Sequence, residues 1–353
     1  MTTRTLFDDA RQLLGSTNPD ARLQLTHALH TADSIHDFSI PATPQPLCCI
    51  DGAVASTQTD ALVWITAVAG NSDSNETVHS QAVAPVGAST DRLRSALMAL
   101  CEMKMALTAS QTASTVWIDG GLSTPLISVS TALSDTTLNA SAPLDSIMER
   151  VDAFNTIDNY ITLASSGRLR ALPKQDTAHG FSQLWATHLA CDEATKSWIV
   201  ERTDHSLARA VLHPGQFLAP RPASEALRIK IRHNPDLPPA TAHWIEALDP
   251  LFARWRAQVH AHVTYGIPTT GTARPLKLEF TTVPDEAPAI IARDCLQTAA
   301  SHVSGAQIVE PLPQYLVDVA VKRHVTAEML DLMAQVHQHF DGTHPEAVSS
   351  YRT

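Results

Sequence analysis

The chain has 353 residues, 44% of them hydrophobic and 17% charged, and carries a formal net charge of -11. That length holds one large domain or two medium ones, and the composition belongs to an ordinary folded protein, neither disordered nor fibrous. The acidic balance counts against non-specific nucleic-acid binding, which favours a basic surface.

Residues 1–40 read as helical, with Leu6, Ala10, Leu13 and Leu14 at helical spacing and a Pro-punctuated stop over 41–46. Residues 1–42 are therefore expected to form an N-terminal appendage to a main domain spanning 43–353. Arg4, Asp8, Asp9 and Arg11 interrupt the leading apolar residues, so no signal-type stretch is present and a cytoplasmic location is expected. Cys48, Cys49, Cys101, Cys191 and Cys295 form an odd set without C-x-x-C spacing. This argues against a disulfide framework or a zinc knuckle, and for a reducing compartment.

Three short apolar stretches follow, 47–54, 62–68 and 78–86, which predict a three-strand meander. The strongest apolar run, ALVWITAVAG at 61–70, is about half the roughly 20 residues needed to cross a bilayer, and reads as a buried strand. A helix is predicted over 89–109, apolar on nearly every side, with only Glu102 and Lys104 charged between residues 95 and 107. A fourth strand, 115–118, runs into Asp119-Gly120-Gly121. A helix over 144–163 and a strand over 168–172 ending at Pro173-Lys174 come next. Residues 176–270 mix helical patterns with Pro-rich breaks and read as an insertion. Within it, LRIKIR at 227–232 alternates as a strand, as does 276–281 beyond it. Two helical pieces, 315–322 and 326–340, close the chain, the second opening at a Thr N-cap candidate. The order of these elements matches the ribonuclease-H-like α/β fold, a mixed sheet flanked by helices.

Phosphodiester hydrolysis by two divalent ions about 4 Å apart needs several hard carboxylate ligands brought together. Asp51 follows the apolar strand LCCI and Asp119 follows TVWI. In the expected topology these strands are parallel neighbours roughly 4.8 Å apart, so the two carboxylates could share a cation. Asp-Gly after a strand is also a common turn signal, and both readings stand at each position. Glu102 is either a ligand in an apolar helix or a surface residue where that helix meets solvent. Asp318, among Leu316, Val317, Val319 and Ala320, is either a ligand or a helix-start acid favoured by the macrodipole.

Arg228, Lys230 and Arg232 alternate with Leu227, Ile229 and Ile231, so a strand places three cations on one face, suited to a DNA backbone or simply to solvent. Lys174 can balance phosphate charge or sit in an exposed loop. No G-x-x-x-x-G-K-[ST] loop, G-x-S-x-G elbow or H-E-x-x-H helix occurs, so ATP hydrolysis by this chain alone is not expected.

Several segments together resemble the NurA nuclease family. IDGA at 50–53 is similar to its first-strand IDGS, with Ala53 where Ser is usual, and WIDGGL at 117–122 to its second Asp-Gly motif. LHPGQFLAPR at 212–221 is similar to its pGe-type segment, RPLKLEF at 274–280 to its strand ending in a Glu, and EPLPQYLVDVAVK at 310–322 to its closing motif. The resemblance implies a Mn2+- or Mg2+-dependent nuclease acting on DNA ends, a homodimer docked on a HerA-type hexameric ATPase, in repair or antiviral defence. It implies metal-ligand and catalytic roles for Asp51, Glu102, Asp119 and Asp318. A motor with its own basic channel would also deliver DNA to an acidic subunit. The competing readings are a non-cleaving adaptor of such an ATPase and another ribonuclease-H-like enzyme acting on RNA.

Overall fold

The computed structural model describes residues 18–88, 90–135, 148, 152–174, 180–223, 239–268, 274–303, 310–340 and 343–348. Helix α1 (Pro19–Thr31) opens with Pro19 in its first turn, and the Asn18 side chain accepts from the Ala21 N–H at 3.1 Å, satisfying one of the free donors of the helix start. Residues 1–17 lie outside the described part. Beyond α1 the expected helical region gives way to a short strand, β1 (Ile35–Asp37), which pairs antiparallel with β7 (Gln216–Leu218).

The meander forms as expected: β2 (Cys49–Gln58), β3 (Leu62–Asn71) and β4 (Thr77–Pro85) pair antiparallel in sequence order. Helix α2 (Thr90–Ala109) leads to β5 (Val116–Asp119), which lies parallel to β2. Then come α3 (Thr124–Leu133), α4 (Ala153–Ser165) and β6 (Leu169–Leu172), the last parallel to β5. The region read only coarsely from sequence holds α5 (Phe181–His188), α6 (Glu193–Val200), α7 (Asp204–Val211), β8 (Arg221–Pro222), α8 (Pro239–Gln258) and β9 (His260–Ile267). Strand β10 (Leu276–Thr282), α9 (Pro288–Ser301) and α10 (Leu312–Phe340) complete the order. The described strands make one ten-stranded mixed sheet, β1-β7-β9-β10-β6-β5-β2-β3-β4, with β8 on β9.

Alternation along the strands divides the core between the two sheet faces. One face carries Ile50, Ile65, Ile118, Ala171 and Val263 against Leu97 of α2, Val129 of α3, Ile157 of α4 and Trp255 of α8. The other carries Cys49, Val68, Trp117, Leu278 and Phe280 against Leu296 of α9 and Val317 and Val321 of α10.

Two sequence expectations change. The closing helix is continuous, because no Gly or Pro interrupts residues 323–325. Thr326 is not a cap: its hydroxyl donates to the Lys322 carbonyl at 2.8 Å inside the helix. The helix expected over 144–163 is described only from Ala153, and the strand expected over 227–232 lies outside the described residues. All five cysteines are free, and among the described residues no helix is long and apolar enough to cross a membrane.

Trp255 is fully buried and stacks on Tyr160 with ring centroids 6.2 Å apart. Trp255→Ala is expected to lower unfolding stability by about 3–5 kcal/mol in a denaturant titration.

Candidate functional site

The site forms where β5 ends beside β2. The last β2–β5 pair is Ile50 with Ile118, and one residue further along stand Asp51 and Asp119, on neighbouring parallel strands. β2 runs on to Gln58 while β5 stops, so Asp51-Gly52 is not the turn its sequence also allowed but the interior of a long strand, with Asp51 opposite Gly70 of β3. Asp119-Gly120 does leave its strand, with Gly120 at φ +91°, a conformation glycine adopts at no steric cost.

By alternation both aspartates face α10. Gln314 Nε2 donates to Asp119 Oδ1 at 2.8 Å, and Lys174 Nζ stands 2.9 Å from Asp119 Oδ2 and 2.9 Å from Glu310 Oε2. Asp318, one turn beyond Gln314, pairs with Lys322 Nζ at 2.7 Å. The Gly52 N–H donates to Asp51 Oδ1 at 2.7 Å, and the buried Asp51 carboxyl also lies within hydrogen-bonding reach of Asp318.

Glu102 approaches from the other face, on α2, over the backbone of β2. It fits because residue 52 is glycine: a Cβ there would lie 2.6 Å from Glu102 Oε1 and 2.8 Å from its Cγ. In this strand, therefore, glycine serves close approach of a side chain and not a positive φ.

The electrostatics follow from crowding. Burial, then the charge of Asp119, pushes Asp51 up to about 8 against an ordinary 3.8, although the Gly52 hydrogen bond and Lys174 oppose it. Burial, then Asp51 and Asp119, holds Glu102 well above its ordinary value. Asp318 is held low: burial acts upward, but the Lys322 hydrogen bond and charge outweigh it, with Lys174 and Asp51 adding to the same side. Burial pulls Lys174 down, yet Asp119 and Glu310 raise it overall, so it stays an ammonium.

The four sequence candidates thus lie around one strand edge, where Asp51 feels the charges of Asp119 and Asp318, and Glu102 those of Asp51 and Asp119. Among the described residues, no three His, Cys, Asp or Glu side chains already stand in a metal-holding group. Asp119 is engaged by Lys174 and Gln314, Asp318 by Lys322, and Glu102 comes from the opposite face. The donor set itself suits a hard divalent cation: all oxygen, with Asp51 and Glu102 raised first by burial and then by neighbouring carboxyls. Lys174 is in the site and not simply a loop lysine. Arg228, Lys230 and Arg232 lie outside the described residues.

Sequence reasoning did not select Glu310, Gln314, Lys277, Glu279 or Tyr160. Lys277 and Glu279 alternate with apolar residues as a solvent-facing stripe would. Both nevertheless have buried side chains, 2% and 4% exposed, because β10 is an inner strand covered on both faces. Glu279 also lies inside β10, which continues to Thr282, and not at its end.

Fold and site together define a mixed α/β chain with an acidic cluster at the edge of a parallel strand pair. No family model matches the sequence, and no curated protein matches it. Among solved structures, one titled as NurA matches with a TM-score of 0.53 at 11% identity, covering 97% of this chain and 99% of that one. The NurA nuclease from Sulfolobus solfataricus matches with a TM-score of 0.49 at 12% identity, over 96% and 99% of the two chains. A NurA structure with manganese matches at 0.46 and 10%, over 94% and 98%. The chain is NurA-like in fold, from α1 to α10.

Two outcomes are expected. Gly52→Ala forces Glu102 and Met98 off the strand and costs about 1–3 kcal/mol, read from denaturant unfolding. The folded chain keeps the Asp51 proton to about pH 8, whereas the unfolded chain releases it near 3.8. The stability this gives is complete below that lower value and is lost as pH rises through 8. The metal-free chain should therefore melt at a lower temperature at pH 9 than at pH 6, and Asp51→Asn should flatten that slope.

Proposed function

We propose that the chain is a divalent-metal-dependent DNA nuclease using Mn2+ or Mg2+, acting at DNA ends as a homodimer on a HerA-type hexameric ATPase. The observation that carries the reading is the placement of Asp51 and Asp119 side by side on parallel strands, with Asp318 within hydrogen-bonding reach of Asp51. The NurA-like fold supports it, and the DNA substrate and the ATPase partner are what the sequence resemblance implies.

Asp51 and Asp119 would hold the metal, with Glu102 reaching in from one face of the sheet and Asp318 from the other. Divalent ions held there would supply Lewis-acid stabilisation of the reacting oxygens in phosphodiester hydrolysis. The Gly52 and Gly120 N–H groups each donate to an aspartate Oδ1, which orients the two carboxylates. Lys174, with a side chain 44% exposed, stands at the mouth of the site, where its ammonium can offset phosphate charge. Arg228, Lys230 and Arg232 are assigned to the DNA backbone on their alternation alone.

A second reading, a non-cleaving adaptor of the ATPase, is favoured by one observation. Lys174 and Lys322 already neutralise Asp119 and Asp318, an arrangement that needs no metal.

The deciding measurement is cleavage of single- and double-stranded DNA, with RNA as competitor, in Mn2+ or Mg2+. The wild type is expected to cleave DNA, and Asp51→Ala and Asp119→Ala to lose at least about a hundredfold in rate, the loss typical when a group stabilising the reacting charge is removed. Equal background cleavage by all three proteins would establish the adaptor reading instead.

A further inference from the structure

After Asp119 the chain makes a bend, Gly120-Gly121-Leu122, before α3 begins at Thr124. Two glycines in succession leave such a bend free to sample many conformations, so something else must hold it. The Leu122 peptide is gripped at both ends by side chains from other elements. Its N–H donates to Glu279 Oε2 at 3.0 Å, and its carbonyl accepts from the Tyr160 hydroxyl at 2.9 Å. Glu279 comes from β10 and Tyr160 from α4, and both are buried.

Each grip is itself braced. Lys277 Nζ lies 3.4 Å from Glu279 Oε1 and offsets the charge of a carboxylate taken out of water. Gly121 gives Glu279 its path, since a Cβ there would lie 3.1 Å from Glu279 Oε2. The Tyr160 ring stacks on Trp255 with only 4° between the planes. Burial, then the charges of Glu102 and Glu279, pushes the Tyr160 hydroxyl up, so it remains a donor.

We propose that Glu279 and Tyr160 are positioning residues which clamp the bend after β5 and so set the aim of Asp119. Neither is one of the candidate ligands. Their effect reaches the site through Leu122, three residues from Asp119. Catalytic constellations tolerate displacements well below 1 Å, which is why a doubly held peptide is placed next to a ligand. The functional part of this inference rests on the nuclease reading; the mechanical part does not.

The test uses the full chain with Tyr160→Phe, which removes one hydroxyl and keeps the stacked ring, and Glu279→Gln, which keeps an acceptor for Leu122. The control is Thr281→Val, which removes a buried hydroxyl hydrogen-bonded to Leu169 elsewhere on β10. In Tyr160→Phe, amide exchange at residues 120–122 is expected to quicken about tenfold, the factor matching one lost buried hydrogen bond. The Mn2+ concentration for half-maximal cleavage should rise about as much, and Thr281→Val should change neither. Glu279→Gln, if it folds, should keep most of the protection at Leu122; if it does not fold, Tyr160→Phe decides alone. Unchanged exchange at 120–122 in Tyr160→Phe would overturn the clamp. Faster exchange with an unaltered Mn2+ requirement in an active enzyme would overturn its role in aiming Asp119. A wild type that never cleaves would remove the nuclease reading, while the exchange measurement would still decide the clamp.

Discussion

Asp51 stands buried on the strand beside Asp119, and a carboxylate held that way is costly unless paired. The surrounding chain answers in three ways. It supplies cations, with Lys174 bridging Asp119 and Glu310 and Lys322 covering Asp318. It supplies oriented donors, from Gly52, Gly120 and Gln314. And it leaves Asp51 protonated to about pH 8, so that one negative charge is withheld. A proton on Asp51 and an ammonium beside Asp119 are how the folded chain offsets two neighbouring carboxyls.

The topology explains why the acids meet at this place and nowhere else. β5 stops at Asp119 while β2 continues for seven more residues past Asp51, to Gln58, so one edge of β2 is uncovered from Gly52 onward. An uncovered strand edge lets side chains approach from both faces. Glu102 uses the space over Gly52 from the α2 side, and Asp318 and Gln314 come down from α10. Two helices on opposite faces of one sheet thereby bring acids to the same stretch of β2.

Much of this was legible before any coordinates. Short apolar runs mark β2, β3, β4 and β5, and the apolar run of α2 makes Glu102 conspicuous as a charge with no evident partner. What was not legible depends on tertiary cover. The stripe Lys277-Glu279 looks solvated because alternation cannot show whether a strand lies inside a sheet. The glycine of Asp51-Gly52 looks like a turn because sequence does not show that a glutamate passes over it. β1 and β7 are three residues each, too short to carry a period, and form only because the sheet offers them an edge. The break expected in the last helix failed for the opposite reason: a threonine can cap or continue, and without a glycine or proline nearby the helix continued.

That unbroken last helix has a mechanical meaning. At 29 residues it is a rod roughly 43 Å long, with Gln314 and Asp318 near its beginning and Phe340 against Trp64 at its far end, where Met329, Leu332 and Val336 close a separate small core. Val317, Val321 and Val325 tie it to the sheet on the way, so the place of Gln314 beside Asp119 is held by packing along the whole rod and not by its first turn alone.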